Sequence, residues 1–93
     1  MSKEGLRYAI LKIIEESTIV DLDNSLSEVQ REALYGIIKF LDREGYITNV
    51  LYSDDTVEMD ECIEITEKGE KYLQDNSKMS KLYKGIKELR SWI

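Results

Sequence analysis

Apolar residues recur at helical spacing in four stretches of the chain, and between the second and third the period changes to two. Residues 3–16 carry Leu6, Ile10, Ile13 and Ile14 on one stripe, with Ala9 filling it and Ser2 placed to cap it. Asp21, Asp23, Asn24 and Ser25 then form a polar connector, where Leu22 and Leu26 are placed to anchor a short helical turn. Ser27-Glu28-Val29-Gln30 has the form of a capping box: the serine accepts from the backbone three residues on, and the glutamine reaches back. The helix it opens is expected to turn Val29, Ala33, Leu34, Ile37, Ile38 and Leu41 to the core. It should end at Gly45, the residue type that takes the left-handed conformation just past a helix.

Beyond Gly45 the pattern is extended. Residues 46–52 read as a strand, Ser53-Asp54-Asp55-Thr56 as a turn, and 57–65 as a second strand. Val57, Met59, Ile63 and Ile65 alternate with Glu58, Asp60 and Glu64, whereas Cys62 and Glu61 fall on the wrong sides, which predicts a bulge or bend near 60–62. Thr66 caps a short helix, 67–75, that buries Tyr72 and Leu73 and stops at Asn76. A last amphipathic helix, about 78–92, lines up Met79, Leu82, Tyr83, Ile86, Leu89 and Ile93, with Trp92 at its edge. This order predicts an α+β fold, winged helix-turn-helix-like, with a two- or three-stranded antiparallel wing and an extra C-terminal amphipathic helix. The connector at 18–26 stands in for the first helix of the turn.

Composition narrows the chemistry. Ninety-three residues, 42% apolar, suit one domain spanning 1–93. No apolar run nears the roughly 20 residues of a membrane helix, and no signal peptide is visible, so the expected location is cytoplasmic and off the membrane. With no histidine and one cysteine, zinc fingers, Ser-His-Asp and Cys-His schemes and an internal disulfide are excluded. The five glycines stand singly, leaving no phosphate loop. No carboxylate pair is marked for acid–base work, and Glu61 and Glu64 beside Cys62 argue against a reactive thiolate. The chain is read as a non-enzyme without cofactor.

At this point the residues resemble a known family. Leu6-Arg7-Tyr8-Ala9-Ile10-Leu11-Lys12, Phe40-Leu41-Asp42-Arg43-Glu44-Gly45-Tyr46-Ile47, Tyr52-Ser53-Asp54-Asp55 and Ile65-Thr66-Glu67-Lys68-Gly69-Glu70-Lys71-Tyr72-Leu73 occur in order, followed by residues 80–93. Together they resemble the YjcQ family, small winged-helix-like proteins of Gram-positive bacteria and their phages. The resemblance implies a fold and a bacterial or prophage origin and carries over no functional residues. Residues 17–34 depart from it most.

Two functions fit these residues. A DNA-binding transcriptional regulator would insert helix 28–44 into duplex DNA with Arg31, Tyr35, Lys39 and Arg43 as contacts. The wing opposes this, because Asp54, Asp55, Glu58 and Asp60 would meet phosphates. The alternative is a non-catalytic protein–protein interaction module. Its acidic wing (Asp54, Asp55, Asp60) would dock a basic partner, or its C-terminal helix would form a homodimer through Leu82 and Ile86. Charge supports an uneven surface: residues 1–76 hold 8 basic and 18 acidic side chains, residues 77–93 hold 5 and 1, within a net charge of −6. The basic residues of that tail recur every three positions from Lys78 to Arg90 and so wrap the helix, as a solvated face does. Asp21, Asp23, Ser25 and Glu32 fall at calcium-loop spacing, but Leu26 replaces the required glycine, so no metal site is expected.

Overall fold

The computed structural model describes residues 3–82, 89–91 and 93. Three helices come first: α1 (Lys3–Glu15), α2 (Ile19–Asn24) and α3 (Glu28–Arg43). Four short strands follow, β1 (Ile47–Thr48), β2 (Leu51–Ser53), β3 (Thr56–Glu58) and β4 (Glu64–Ile65), then α4 (Glu67–Asp75) and a 3-10 helix, Ser77–Leu82. The fold is α+β.

The connector expected at 18–26 is a helix. Ile19 and Leu22 are buried, and burial of these two outweighs the turn preference of Asp21, Asp23 and Asn24. Three residues, Ser25-Leu26-Ser27, join α2 to α3, with Leu26 buried beneath the turn. The capping box forms as expected: Gln30 N–H donates to Ser27 Oγ (3.3 Å) and Ser27 N–H to Gln30 Oε1 (2.9 Å). At the other end Gly45 takes φ +81°, Gly45 N–H donates to Asp42 O and Tyr46 N–H to Leu41 O, a Schellman closure.

The extended region is two antiparallel ladders rather than one continuous hairpin. Ile47 pairs with Ile65 and Thr48 with Glu64; beyond them Leu51 pairs with Glu58, Tyr52 with Val57 and Ser53 with Thr56. Between the ladders the returning strand carries three more residues than the outgoing one, and this is the bend expected near 60–62. Asp60 accepts from Cys62 N–H (2.7 Å), which swings Glu61 and Cys62 to solvent and returns Ile63 to the core. At the tip Asp54 and Asp55 both have positive φ (49° and 67°), as a two-residue hairpin turn requires.

The core gathers Ile10, Leu11 and Ile13 of α1 with Leu22, Leu34, Ile38, Leu41, Ile47, Val57, Ile63 and Leu73. Gly69 lets α4 press on the β1–β4 ladder: a methyl group there would drive into Tyr46 O and the Ile65 side chain. Thr66 caps α4, accepting from Gly69 N–H (3.1 Å), and its own hydroxyl donates to Gly45 O (2.6 Å). The last helix differs from expectation at its start. Residues 77–82 wind as 3-10, starting from Met79 N–H to Asn76 O (2.8 Å), where Ser77 and Ser80 are weak α-helix formers. Leu89 is buried in the same core. Ile86 and the Leu82 side chain, named for a C-terminal dimer, lie outside the described residues.

Candidate interaction surface on the third helix

The residues of α3 named for DNA contact run at four-residue spacing along one flank of the helix, and three of them are tied to other elements. Arg31 and Tyr35 are half-buried and turned to α2: Arg31 Nε donates to Asp23 O (3.0 Å), with its Nε also 3.8 Å from Asp23 Oδ1, and Tyr35 hydroxyl donates to Asp23 Oδ1 (3.0 Å). Asp23 is only 8% exposed, so the Tyr35 hydrogen bond and the nearby Arg31 charge satisfy a carboxylate that burial would otherwise penalise. Burial, the bond to Asp23 and the charge on that carboxylate raise the Tyr35 phenol above its ordinary range, against an opposing effect of Arg31.

Lys39 and Asp42 serve the hairpin. Lys39 Nζ donates to Asp55 O (2.8 Å), and Tyr52 hydroxyl donates to Asp42 Oδ2 (2.6 Å), so the β2–β3 ladder leans on this side of α3. Arg43 is exposed and extends toward the Phe40 ring (5.6 Å to its centroid) and Glu44 (3.7 Å). Arg7 of α1 stacks closer over the same ring, at 3.7 Å.

What α3 turns outward is apolar at its centre. Val29 and Ala33, expected in the core, are exposed, Val29 to 77%. Gly36 follows in line, with open space where a Cβ would stand, and then half-buried Phe40. The reason is arc: α1 and the strands cover the side carrying Leu34, Ile38 and Leu41, and a helix on the rim of a small core buries only part of a wide apolar face. Beside the stripe a cleft of about 240 Å³ opens between α1 and α3, with Leu6 and Arg7 on one wall and Ala33, Gly36, Ile37 and Phe40 on the other. Sequence reasoning missed this surface, although the breadth of the α3 apolar pattern was its signal.

The acidic hairpin splits in two. Asp54 and Asp55 are exposed at the tip. Asp60 sits in the bend, its carboxylate held below the usual range first by the Cys62 backbone N–H and then by the Cys62 thiol. Asp60 in turn raises the Cys62 thiol, by hydrogen bond and by charge, and Glu64 and Glu61 add to it. This thiol is a poor nucleophile. Among the described residues no group of three or more Cys, Asp or Glu is arranged to hold a metal, and no helix is long and apolar enough to cross a membrane.

Three helices leading into short antiparallel ladders, closed by a fourth helix, define a small α+β protein whose distinctive surface is non-polar and acidic. Against known sequences, the model of the family described as YjcQ protein matches residues 8–92. The chain is 46% identical over 94 residues to the Bacillus subtilis (strain 168) protein named "Uncharacterized protein YjcQ", covering 100% of this chain and 99% of that one. Among solved structures it is similar to the solution NMR structure of the YjcQ protein from Bacillus subtilis. That match has a TM-score of 0.61 and 44% identity over 77% of this chain and 92% of the other. The chain belongs to the YjcQ family.

Proposed function

We propose that this protein is a non-catalytic protein-interaction module that docks through the outer face of α3. The observation that carries this reading is the exposed apolar line of Val29, Ala33 and Gly36 leading to Phe40. Burying such a line against a protein is favourable, at about 25 cal/mol per Å² of apolar surface, whereas duplex DNA offers it phosphates. The acidic tip, Asp54 and Asp55, borders the face and favours a basic rim on the partner.

DNA binding is the second reading, favoured by the element order: a short helix, a tight turn, a longer helix and a hairpin is the winged-helix arrangement. It keeps Arg31, Tyr35, Lys39 and Arg43 as contacts, and binding would have to break the ties of Arg31 and Tyr35 to Asp23 and of Lys39 to the hairpin tip.

Two measurements separate the readings. A photo-crosslinking residue in place of Val29, used in living bacterial cells, is expected to give discrete protein adducts; a total absence of adducts would sink the docking face. Labelled duplex DNA titrated at several salt concentrations is expected to show no binding. Affinity that falls steeply with salt would move the assignment to DNA.

A further inference from the structure

We infer that the outer face of α3 is covered by a second copy of this chain, with the two α3 helices antiparallel across a dyad beside Gly36. The inference rests on the docking-surface reading above and names the occupant. The order of charge along the helix carries it. Glu28 and Glu32 lie in the N-terminal half of α3, Lys39 and Arg43 in the C-terminal half. At about 100° per residue all four fall within about 60° of one another, on the flank between the apolar line and the hairpin. When two copies run antiparallel, Glu28 comes level with Arg43 of the second copy and Glu32 with its Lys39. Both pairs share one centre, between residues 35 and 36, and both fall on the same side of the interface. A parallel pairing about a dyad would leave the two charged flanks on opposite sides of the interface, where no such pairs can form.

The residue at that centre has the shape the crossing needs. Gly36 has no side chain, and nothing stands within 4 Å of where a Cβ would be. The backbones can therefore approach closely, with Ala33 beside them and Val29 and Phe40 packing toward the ends. Lys39 donates only to a neutral carbonyl, so its charge is still available to a carboxylate. A strip one 16-residue helix long, about 24 Å, falls at the small end of interfaces, below about 1,200 Å². The dimer is accordingly weak and depends on concentration.

Sedimentation velocity of the full chain from about 10 μM to about 1 mM, a range that brackets weak association, tests this. The mean mass is expected to rise from 10.9 kDa toward twice that value. In Gly36→Arg the new Cβ meets nothing within 4 Å and the position is exposed, so its circular dichroism and melting midpoint should be kept while association weakens at least about tenfold, or about 1.4 kcal/mol. Arg43→Glu alone should weaken it too, and Glu28→Arg combined with Arg43→Glu in the same chain should restore it. A wild type that stays monomeric at every concentration overturns the second copy as occupant. If Val29 crosslinks then join this chain to a different protein of discrete mass, the docking-surface reading still stands. Association that the double swap does not restore overturns the antiparallel pairing.

Discussion

Ser17 ends α1 with φ +60°, a conformation that costs a residue with a Cβ about 1–2 kcal/mol. It is held there by two backbone bonds, Ser17 N–H to Ile14 O (3.0 Å) and Thr18 N–H to Ile13 O (3.1 Å), the same Schellman closure that Gly45 makes for α3. The two helix ends share one geometry, and only one of them carries the residue suited to it. Ser17 is exposed, so its side chain gives little in return for the strain. Ser17→Gly should therefore stabilise the fold by about 0.5–1 kcal/mol, once the added freedom of glycine in the unfolded chain is subtracted. Thermal melting should show a midpoint several degrees higher. An unchanged or lower midpoint would mean that the native φ is not strained.

The β2–β3 ladder has three residue pairs, with Leu51 and Tyr52 largely open to water, and a hairpin this small is marginal alone. Its attachment to α3 therefore matters more than its own bonds. Burial of the Tyr52 hydroxyl, its bond to Asp42 and the Asp42 charge push the phenol up to about 12, from an ordinary 10.0. The folded chain thus holds this proton more tightly than the unfolded one. The tie contributes fully below pH 10 and is lost as pH rises from 10 to 12. Tyr52 is 47% exposed, so solvent screening leaves the contribution well short of the full shift. Absorbance titration is expected to show a phenol ionising near pH 12 that disappears in Tyr52→Phe, and the wild type should lose more stability than the variant across that window. Coincident pH–stability curves would remove the tie. At this scale the sequence was legible where side chains encode an end: Ser27 with Gln30, Gly45, Thr66, the Asp54-Asp55 turn, and the broken alternation at Glu61 and Cys62. It was less so at α2, because six residues complete fewer than two turns and three of them favour turns. The tie of Arg31 and Tyr35 to Asp23 depends on how α2 crosses α3, which no spacing within α3 reports. Val29 and Ala33 read as core because helical spacing marks an apolar stripe without saying which arc of it the rest of the chain will cover.

Helix α1 touches α2, α3, α4, β4 and the 3-10 helix, so the chain is wrapped around its first element and closed by its last residues. Leu89 is 3% exposed, and Arg90 O accepts from Gln30 Nε2 (2.8 Å). The other end of the same Gln30 amide completes the capping box of α3. One side chain therefore joins the start of α3 to residues sixty positions later. For a chain of this length total stability is about 5–14 kcal/mol, and truncating a buried leucine costs about 2–5 kcal/mol. Leu89→Ala should thus remove a large share of the total and lower the melting midpoint by roughly 10 °C or more. Gln30→Ala should cost about 1–2 kcal/mol, since it removes the box and the bond to the tail together. If cap and tail act as one unit, the double variant will lose less than the two single losses combined, because either change already frees the tail. Urea unfolding of the four proteins measures this. Strictly additive losses would make cap and tail independent, and an unmoved midpoint in Leu89→Ala would place residue 89 outside the cooperative core.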